Sequence, residues 1–450
     1  MILQNKLFHK FLLSNKSNYI SYAISKIHST YLRKKNPQKL NLRYLFNLLL
    51  FYGDKKNFIC KDKDRVKTDI LIISNIISKH NFTKDVYFGN LDRLLNINNI
   101  KNIKVFRNFT DKRSSKISQL LKKKQILLSK RVDYVTEFKF LLLTFREYLI
   151  FIFLDKYRNI KNFIGISDFT SIPANLRLIN QIDKVLTVSK PKIIIFTYEG
   201  HAWERLLINL CKKKYKNMIT VGYQFSAIKS DQVGIFRKLK DNYNPDFLGT
   251  SGSFTEKEML KKISFSKLFK LGSANFIKKK IKLNKSIDLL VALDSEENQL
   301  VKMLKFCVNF SKYNRNINIL LRYHPIYKNN RKIVSRIFSE VNKLANIHVS
   351  NNSLGEDLTK SKFLLFTDSA IGISCLNYNV IPLFFKNKYS KNIFDYRFPK
   401  KNIISNNTNL KLILKENSKI NSKNYFENYQ NTYFEKFNIY NIKKILRKMK

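Results

Sequence analysis

Glycine is scarce in this chain, with 11 among 450 residues, about a third of ordinary usage. No G-x-G-x-x-G and no P-loop is present, which disfavours a hydride-transfer enzyme and a P-loop NTPase. Cysteine is sparse too. Cys60, Cys211, Cys307 and Cys375 lie far apart and form no C-x-x-C pair. A zinc ribbon, an iron–sulfur cluster and a disulfide scaffold are therefore disfavoured, and a reducing compartment is expected. Long apolar runs are missing as well. The N-terminal MILQNKLFHKFLLSNKSNYISY has no continuous apolar core of a signal peptide. The most apolar helical stretch, 138–154, carries Lys139, Arg146 and Glu147 and falls short of a membrane span. It reads as a buried or amphipathic helix, and the chain as a cytoplasmic protein. No repeat of fixed period appears.

Acidic residues are few: 32 Asp and Glu face 85 Lys and Arg, a net charge of +53. Such a balance usually points to nucleic acid or an anionic membrane. Here the excess is mostly Lys, spread over the whole length beside equally abundant Asn and Ile. Those three share A/T-rich codons, so genome composition explains the charge better than nucleic-acid binding does. The field still draws the chain toward phosphates and anionic lipid. Lys/Arg clusters at 122–124 and 130–131 read as a solvated face, with membrane contact as the rival.

What is abundant is core material, 44% hydrophobic and 13% aromatic, which excludes disorder as the main state. Residues 1–60 read as helical and basic without a chemical motif. Apolar runs at 69–74, 86–89 and 103–107 read as strands, and 113–160 as a long helical region. From 192 the pattern is regular: strands at 193–198, 218–225, 246–249 and 269–272, with a helix after the first. A second series follows: strands at 288–293, 318–323, 347–350, 363–367 and 380–385, helices at 296–313 and 331–344, and a terminal helix near 437–449. Two α/β domains with parallel sheets are expected.

Four constellations sit at strand ends, where open α/β sheets bind ligands. Six glycines (Gly200, Gly222, Gly234, Gly249, Gly252, Gly272) crowd the same part of the chain, either at ligand-binding strand ends or in ordinary tight turns. The first constellation is Tyr198-Glu199-Gly200-His201-Ala202-Trp203-Glu204-Arg205, after a buried strand and at a helix start. Glu199 precedes the helix and can accept a proton; its alternative role is an N-cap acid. His201 shares a helix face with Glu204 or Arg205, and surface ion pairing is the alternative. The second, Gly222-Tyr223-Gln224-Phe225-Ser226, alternates polar and aromatic groups, suiting a sugar or base, or else a half-buried strand. The third is Arg322-Tyr323-His324-Pro325. Proline keeps His324 out of the helical region, and Arg plus His suits a phosphate; a structural histidine is the alternative. The fourth, Thr367-Asp368-Ser369-Ala370, leads into a helix whose N-terminus is either an anion site or a plain cap.

In order, the YEG-x-x-WER element at 198–205, GYQ-x-S at 222–226, P-D-x-x-x-x-S-G at 245–252, L-G-S, R-x-HP at 322–325 and the strand–DSA–helix at 367–370 resemble bacterial surface-carbohydrate (capsule and O-antigen) biosynthesis proteins of GT-B glycosyltransferase type. More distantly they are similar to bacterial sialyltransferases and Kdo transferases. The resemblance covers about 190–385. It implies two Rossmann-like sheets facing a cleft, with extra N-terminal helices. Residues 1–255 would form the acceptor-binding domain, 256–400 the nucleotide-sugar domain, and 401–450 a polar tail with a terminal helix.

The resemblance also implies an inverting, metal-independent transferase with no cofactor beyond its nucleotide-sugar donor, for which a CMP-sugar is a candidate. Glu199, His201 and Glu204 are the catalytic candidates. Arg322, His324, Pro325, Asp368, Ser369 and Gly272 would bind the donor. Tyr198, Trp203, Arg205, Gly222, Tyr223, Gln224 and Ser226 would bind the acceptor, a glycan or lipid-linked sugar at the inner face of the membrane. Sialyltransferases carry two acids before the glycine where this chain has Tyr198-Glu199. The rival expectation is a non-catalytic basic α/β protein holding RNA or anionic glycan; a third is a GT-B protein that has lost activity.

Overall fold

The computed structural model describes residues 8–10, 12–13, 20–25, 58–60, 67–76, 85–109, 117–153, 164, 166–228, 232–276, 285–327, 330–387, 394, 398–415 and 423–449. Most of the basic stretch 1–60 lies outside the described residues. The chain divides into two units. The first comprises 1–225, 231–274 and 436–450, and the second 226–230 and 275–435.

In the first unit, β2 (Ile70–Ile76) and β5 (Ile193–Thr197) are buried along their whole length. Their β-branched runs suit central strands of a sheet covered on both faces. β2 pairs in parallel with β3 (Asn102–Asn108) and with β5. Beyond them lie β4 (Gln125–Leu128) on one side and β6 (Ile219–Tyr223), β7 (Phe247–Thr250) and β8 (Lys267–Lys270) on the other. The short β1 (Phe58–Cys60) closes the β4 edge antiparallel. Counting the parallel strands in chain order, the spatial order is 3-2-1-4-5-6-7, the Rossmann order with one added strand. The described helices of this unit include α1 (Leu91–Ile97), α2 (Tyr134–Phe153), α3 (Ser171–Ser189), α4 (Ala202–Lys214) and α5 (Ser253–Leu260). Pro173 lies in the first turn of α3, where its missing N–H costs no helical bond.

In the second unit, β9 (Ile287–Ala292), β10 (Ile319–Arg322), β11 (Ile347–Val349), β12 (Ser361–Phe366), β13 (Ile381–Phe385) and β14 (Ile403–Ile404) form a fully parallel sheet. Its order, β11-β10-β9-β12-β13-β14, is again 3-2-1-4-5-6. The described helices include α6 (Glu297–Tyr313), α7 (Arg331–Val341), α8 (Leu354–Lys360), α9 (Asn407–Lys415) and α10 (Lys423–Thr432). Leu300, Met303, Leu304 and Cys307 of α6 pack at helical spacing onto Leu289, Val291 and Leu321 of the sheet.

The expected class, two Rossmann-like α/β units, is borne out by these sheets. Several local expectations are corrected. Residues 86–89 form a turn, because the buried Asp85 accepts from Ser74 Oγ and from the N–H groups of Tyr87 and Phe88 at 2.9–3.1 Å. The helical reading of 113–160 breaks at β4. The first unit runs past residue 255 to Ala274, and 401–450 is no separate tail. The chain returns to the first unit at Lys436, and α11 (Tyr440–Arg447) buries Ile442 and Ile445 in its core beside Ile70, Ile193 and Val221.

Gly272 makes that return feasible. Its φ is +98°, and a Cβ there would lie 2.5 Å from both the Lys436 carbonyl oxygen and the Phe437 Cα. A side chain at 272 meets a strained dihedral and a backbone clash together. Gly272→Ala is expected to lower stability by about 2 kcal/mol or more, read as a lower urea midpoint; an unchanged midpoint would show that 436–437 does not pack there.

Candidate functional site

Both sheets reverse direction beside their first strand, and ligands of open α/β sheets bind at the carboxyl ends of strands flanking such a point. In the first unit those strands are β2 and β5. The chain leaves β5 through Tyr198, Glu199 and Gly200 and enters α4 at Ala202. Gly200 sits at φ +81°, and a Cβ on it would fall 2.1 Å from the Gly234 carbonyl oxygen. Only glycine fits this turn.

The turn is held from inside by Glu204. Its Oε2 accepts from the N–H groups of Glu199, Gly200 and His201 at 2.9, 2.7 and 2.8 Å. The side chain is 1% exposed. Burial pushes its pKa up to about 7, against the opposing pull of His201 and of the backbone N–H groups. Glu204 therefore caps the helix, and its expected place among catalytic groups is corrected to a scaffold one. Arg205 is corrected likewise. Its guanidinium is fully buried and donates to the carbonyls of Tyr243, Gly234 and Arg237 and to Asn244 Oδ1, at 2.8–3.1 Å. No face of it is left for an acceptor.

Glu199 and His201 remain open, half-buried on the outer side of the same turn. His201 Nε2 lies 3.0 Å from Glu199 Oε2, and Gln232 Nε2 donates to Glu199 Oε1 at 3.2 Å. Burial acts to lower the His201 pKa. The hydrogen bond to Glu199 and the charges of Glu204 and Glu199 outweigh it, and the net shift is upward. A carboxylate in contact with an imidazole at the mouth of the turn suits general base work.

Most of the expected acceptor residues lie beneath this pair. Tyr198 and Tyr223 are fully buried, Trp203 and Gln224 nearly so, and Gly222 packs against the Tyr198 side chain. Gln224 Oε1 accepts from Ser251 N at 3.2 Å. These five support the strand ends instead of presenting a binding face; Ser226 is half-buried in the second unit. Two residues escaped the sequence reading, one in each unit. Arg107, at the carboxyl end of β3, stacks its guanidinium over Trp203 at 4.2 Å and Phe109 at 4.7 Å. Burial pulls its pKa down to about 10, and the Glu204 charge opposes that. The signal was present: an Arg ending the apolar IKVF run.

In the second unit the corresponding strands are β9 and β12. Asp294, two residues past β9, accepts from Thr367 Oγ1 beyond β12 and, at 2.8 Å, from Glu296 N. Asp294 was also missed, although it directly follows the run read as a strand. His324 is exposed at the end of β10, where Pro325 opens a single 3-10 turn. Arg322 is turned away from this end. It donates to the fully buried Asp357 at 2.7 Å and to the Asn352 carbonyl at 2.8 Å. A phosphate would have to compete with that buried ion pair, so Arg322 is corrected to a structural role.

Ser369 is exposed and Asp368 half-buried, but the helix expected behind them is only four residues, Ile371–Ser374. That length gives little dipole, so the expected anion site at this helix start is corrected. Gly272 belongs to the first unit, beside Phe437, and not to a donor site. Among the described residues no group of three or more His, Cys, Asp or Glu side chains is placed to hold a metal ion.

No family model and no curated protein matches the sequence. The fold does resemble solved structures. UDP-GlcNAc 2-epimerase from Neisseria meningitidis aligns at TM-score 0.48 and 10% identity, over 84% of this chain and 98% of that one. The UDP-N-acetylglucosamine 2-epimerase of Rickettsia bellii aligns at 0.47 and 12%, over 85% and 96%. A glycosyltransferase from Rickettsia africae aligns at 0.46 and 9%, over 85% and 96%. This is a distant likeness to GT-B proteins, and at such scores it decides nothing about the chemistry of this chain.

The Glu199–His201 contact has a measurable consequence. A raised histidine pKa stabilises the folded state fully below the ordinary value of about 6.5. That contribution is lost as pH rises through the folded value. By NMR titration His201 should titrate above its ordinary value in the native protein and lower than that in Glu199→Gln, where the hydrogen bond and charge of Glu199 are lost and Glu204 alone opposes burial and Arg107. Equal values in both proteins would show that the hydrogen bond does not form.

Proposed function

We propose that the chain is a glycosyltransferase that moves a sugar from a nucleotide-sugar to a hydroxyl acceptor. The observation carrying this reading is the half-open Glu199–His201 pair on a rigid turn at the carboxyl end of β5. A hydroxyl approaching the pair gives up its proton to it, and the alkoxide oxygen attacks the anomeric carbon of the donor. The C–O bond to the leaving phosphate breaks as the new one forms, giving inversion. Glu199 takes the proton, and the His201 imidazole beside it holds the carboxylate in place. Arg107, pinned by Trp203 and Phe109, supplies the cation of this site and favours an acceptor that carries a negative group.

The second unit holds the nucleotide in this reading. His324 offers an imidazole to phosphate, Ser369 a hydroxyl, and Asp294 a carboxylate to ribose or sugar hydroxyls. A CMP-sugar, a UDP-sugar and other donors are separated by a thermal-shift panel of nucleotide-sugars. A surface glycan or lipid-linked sugar is the acceptor expected from the sequence.

The decisive assay follows donor turnover with and without acceptor. Glu199→Gln should lower transfer by about 10²–10⁴-fold and leave nucleotide affinity unchanged. His324→Ala should weaken nucleotide binding by about 1.5–3 kcal/mol in calorimetry, and Ser369→Ala should weaken it less. Turnover that needs no acceptor, as in epimerisation or hydrolysis, would reject the transferase reading. Wild-type transfer by Glu199→Gln would reject the base.

A further inference from the structure

The first unit exposes an apolar helix face that the site does not use. On α2, Phe138, Leu142, Phe145, Leu149 and Ile152 are all exposed. Their spacing of four, three, four and three residues lines them along one side of the helix. Val135 and Phe153, at 80% and 76% exposure, extend the stripe toward both ends. Twenty helical residues make it about 30 Å long. Scattered surface apolar residues are ordinary, whereas a continuous stripe marks a contact surface.

The opposite face of α2 is already engaged. Phe140, Glu147 and Phe151 are buried. Phe151 and Tyr148 meet Phe169 edge-on at 5.2 and 5.3 Å. Arg177 Nε and Nη2 of α3 bind the two oxygens of Glu137 at 2.5 and 2.8 Å. The helix is thus fixed lengthwise on the unit, and no described helix is long and apolar enough to cross a membrane.

Charge identifies the occupant. Lys139 and Arg146 are exposed, seven residues apart along one edge of the stripe. The helix's two acids are turned away, Glu137 to Arg177 and Glu147 into the interior. Packing two such helices face to face would set like charges together with no exposed acid on the helix to answer them. An anionic bilayer answers both features: acyl chains take the rings and lipid phosphates take the basic edge.

We propose that α2 docks the protein, lying flat, on the surface of an anionic lipid bilayer. This stands independently of the transferase reading. The full chain should float with phosphatidylglycerol/phosphatidylcholine vesicles and far less with pure phosphatidylcholine. Phe138→Ser with Phe145→Ser should reduce binding at least about tenfold. Lys139→Ala with Arg146→Ala should reduce it about fivefold per cation on the anionic vesicles alone. An environment-sensitive dye on Leu142→Cys, in a Cys60→Ser background, should shift to the blue on anionic vesicles, and this reading decides if the serine variants do not fold. Equal flotation of wild type and both double variants, or a dye that does not shift, would overturn the proposal. So would a dimer in sedimentation that Phe138→Ser with Phe145→Ser dissociates, which would assign the stripe to a second copy of the chain.

Discussion

One buried carboxylate organises the first unit's strand end. Glu204 Oε2 gathers three consecutive backbone N–H groups that the start of a helix otherwise leaves without partners. A carboxylate this deep is costly unless its charge is met. The three donors offset part of that cost, and in doing so they fix the φ/ψ path of Glu199, Gly200 and His201. Arg205, the next residue, does the same for the facing loop. Its four hydrogen bonds tie Gly234, Arg237, Tyr243 and Asn244 together. That loop brings Gln232 to Glu199 and sets the Gly234 carbonyl against Gly200. The Glu199–His201 pair is therefore positioned from two sides by groups that never reach solvent. Preorganisation of this kind is what a reacting pair needs, since small displacements of a base are expensive.

The second unit repeats the strand order but meets its charges differently. At β10 the buried Asp357 binds Arg322 and also accepts from Ser350 Oγ at 2.6 Å. This network fastens β10 to the chain after β11. Removing Arg322 would leave the fully buried Asp357 carboxylate without its counter-charge. With Arg322 engaged there, His324 and Pro325 are the residues of the R-x-HP element that stand exposed at the strand end.

The sheets were largely legible from sequence. Runs such as Ile193–Thr197 and Leu289–Ala292 are continuous, β-branched or aliphatic, and bounded by turn residues, as strands buried on both faces must be. What misled was local. Val86-Tyr87-Phe88 has strand composition, but the buried Asp85 pulls its N–H groups into a turn and also ion-pairs with Lys104 at 3.2 Å. Gln125–Leu128 hid behind the preceding lysines, because it pairs with distant Lys104–Phe106 and no local period announces it. The terminal helix expected near 437–449 is present as α11, but its burial in the first unit was not legible, because it depends on a return across the unit boundary.

The site was legible as a place and not as a set of roles. Tyr198–Arg205 does surround the β5 end, but charged residues near a strand end serve either as the reacting face or as the scaffold of the turn. Helical geometry decides between them. Glu199 and His201 precede α4 and stay at its open mouth. Trp203, Glu204 and Arg205 fall in its first turn, where the axis already carries them inward. An acid three residues into a helix is the position from which a carboxylate reaches back to the free N–H groups. Glu204 could have been read as a cap on that ground alone. Arg205 could not, because its partners lie about thirty to forty residues further along the chain and only the folded loop brings their carbonyls to it.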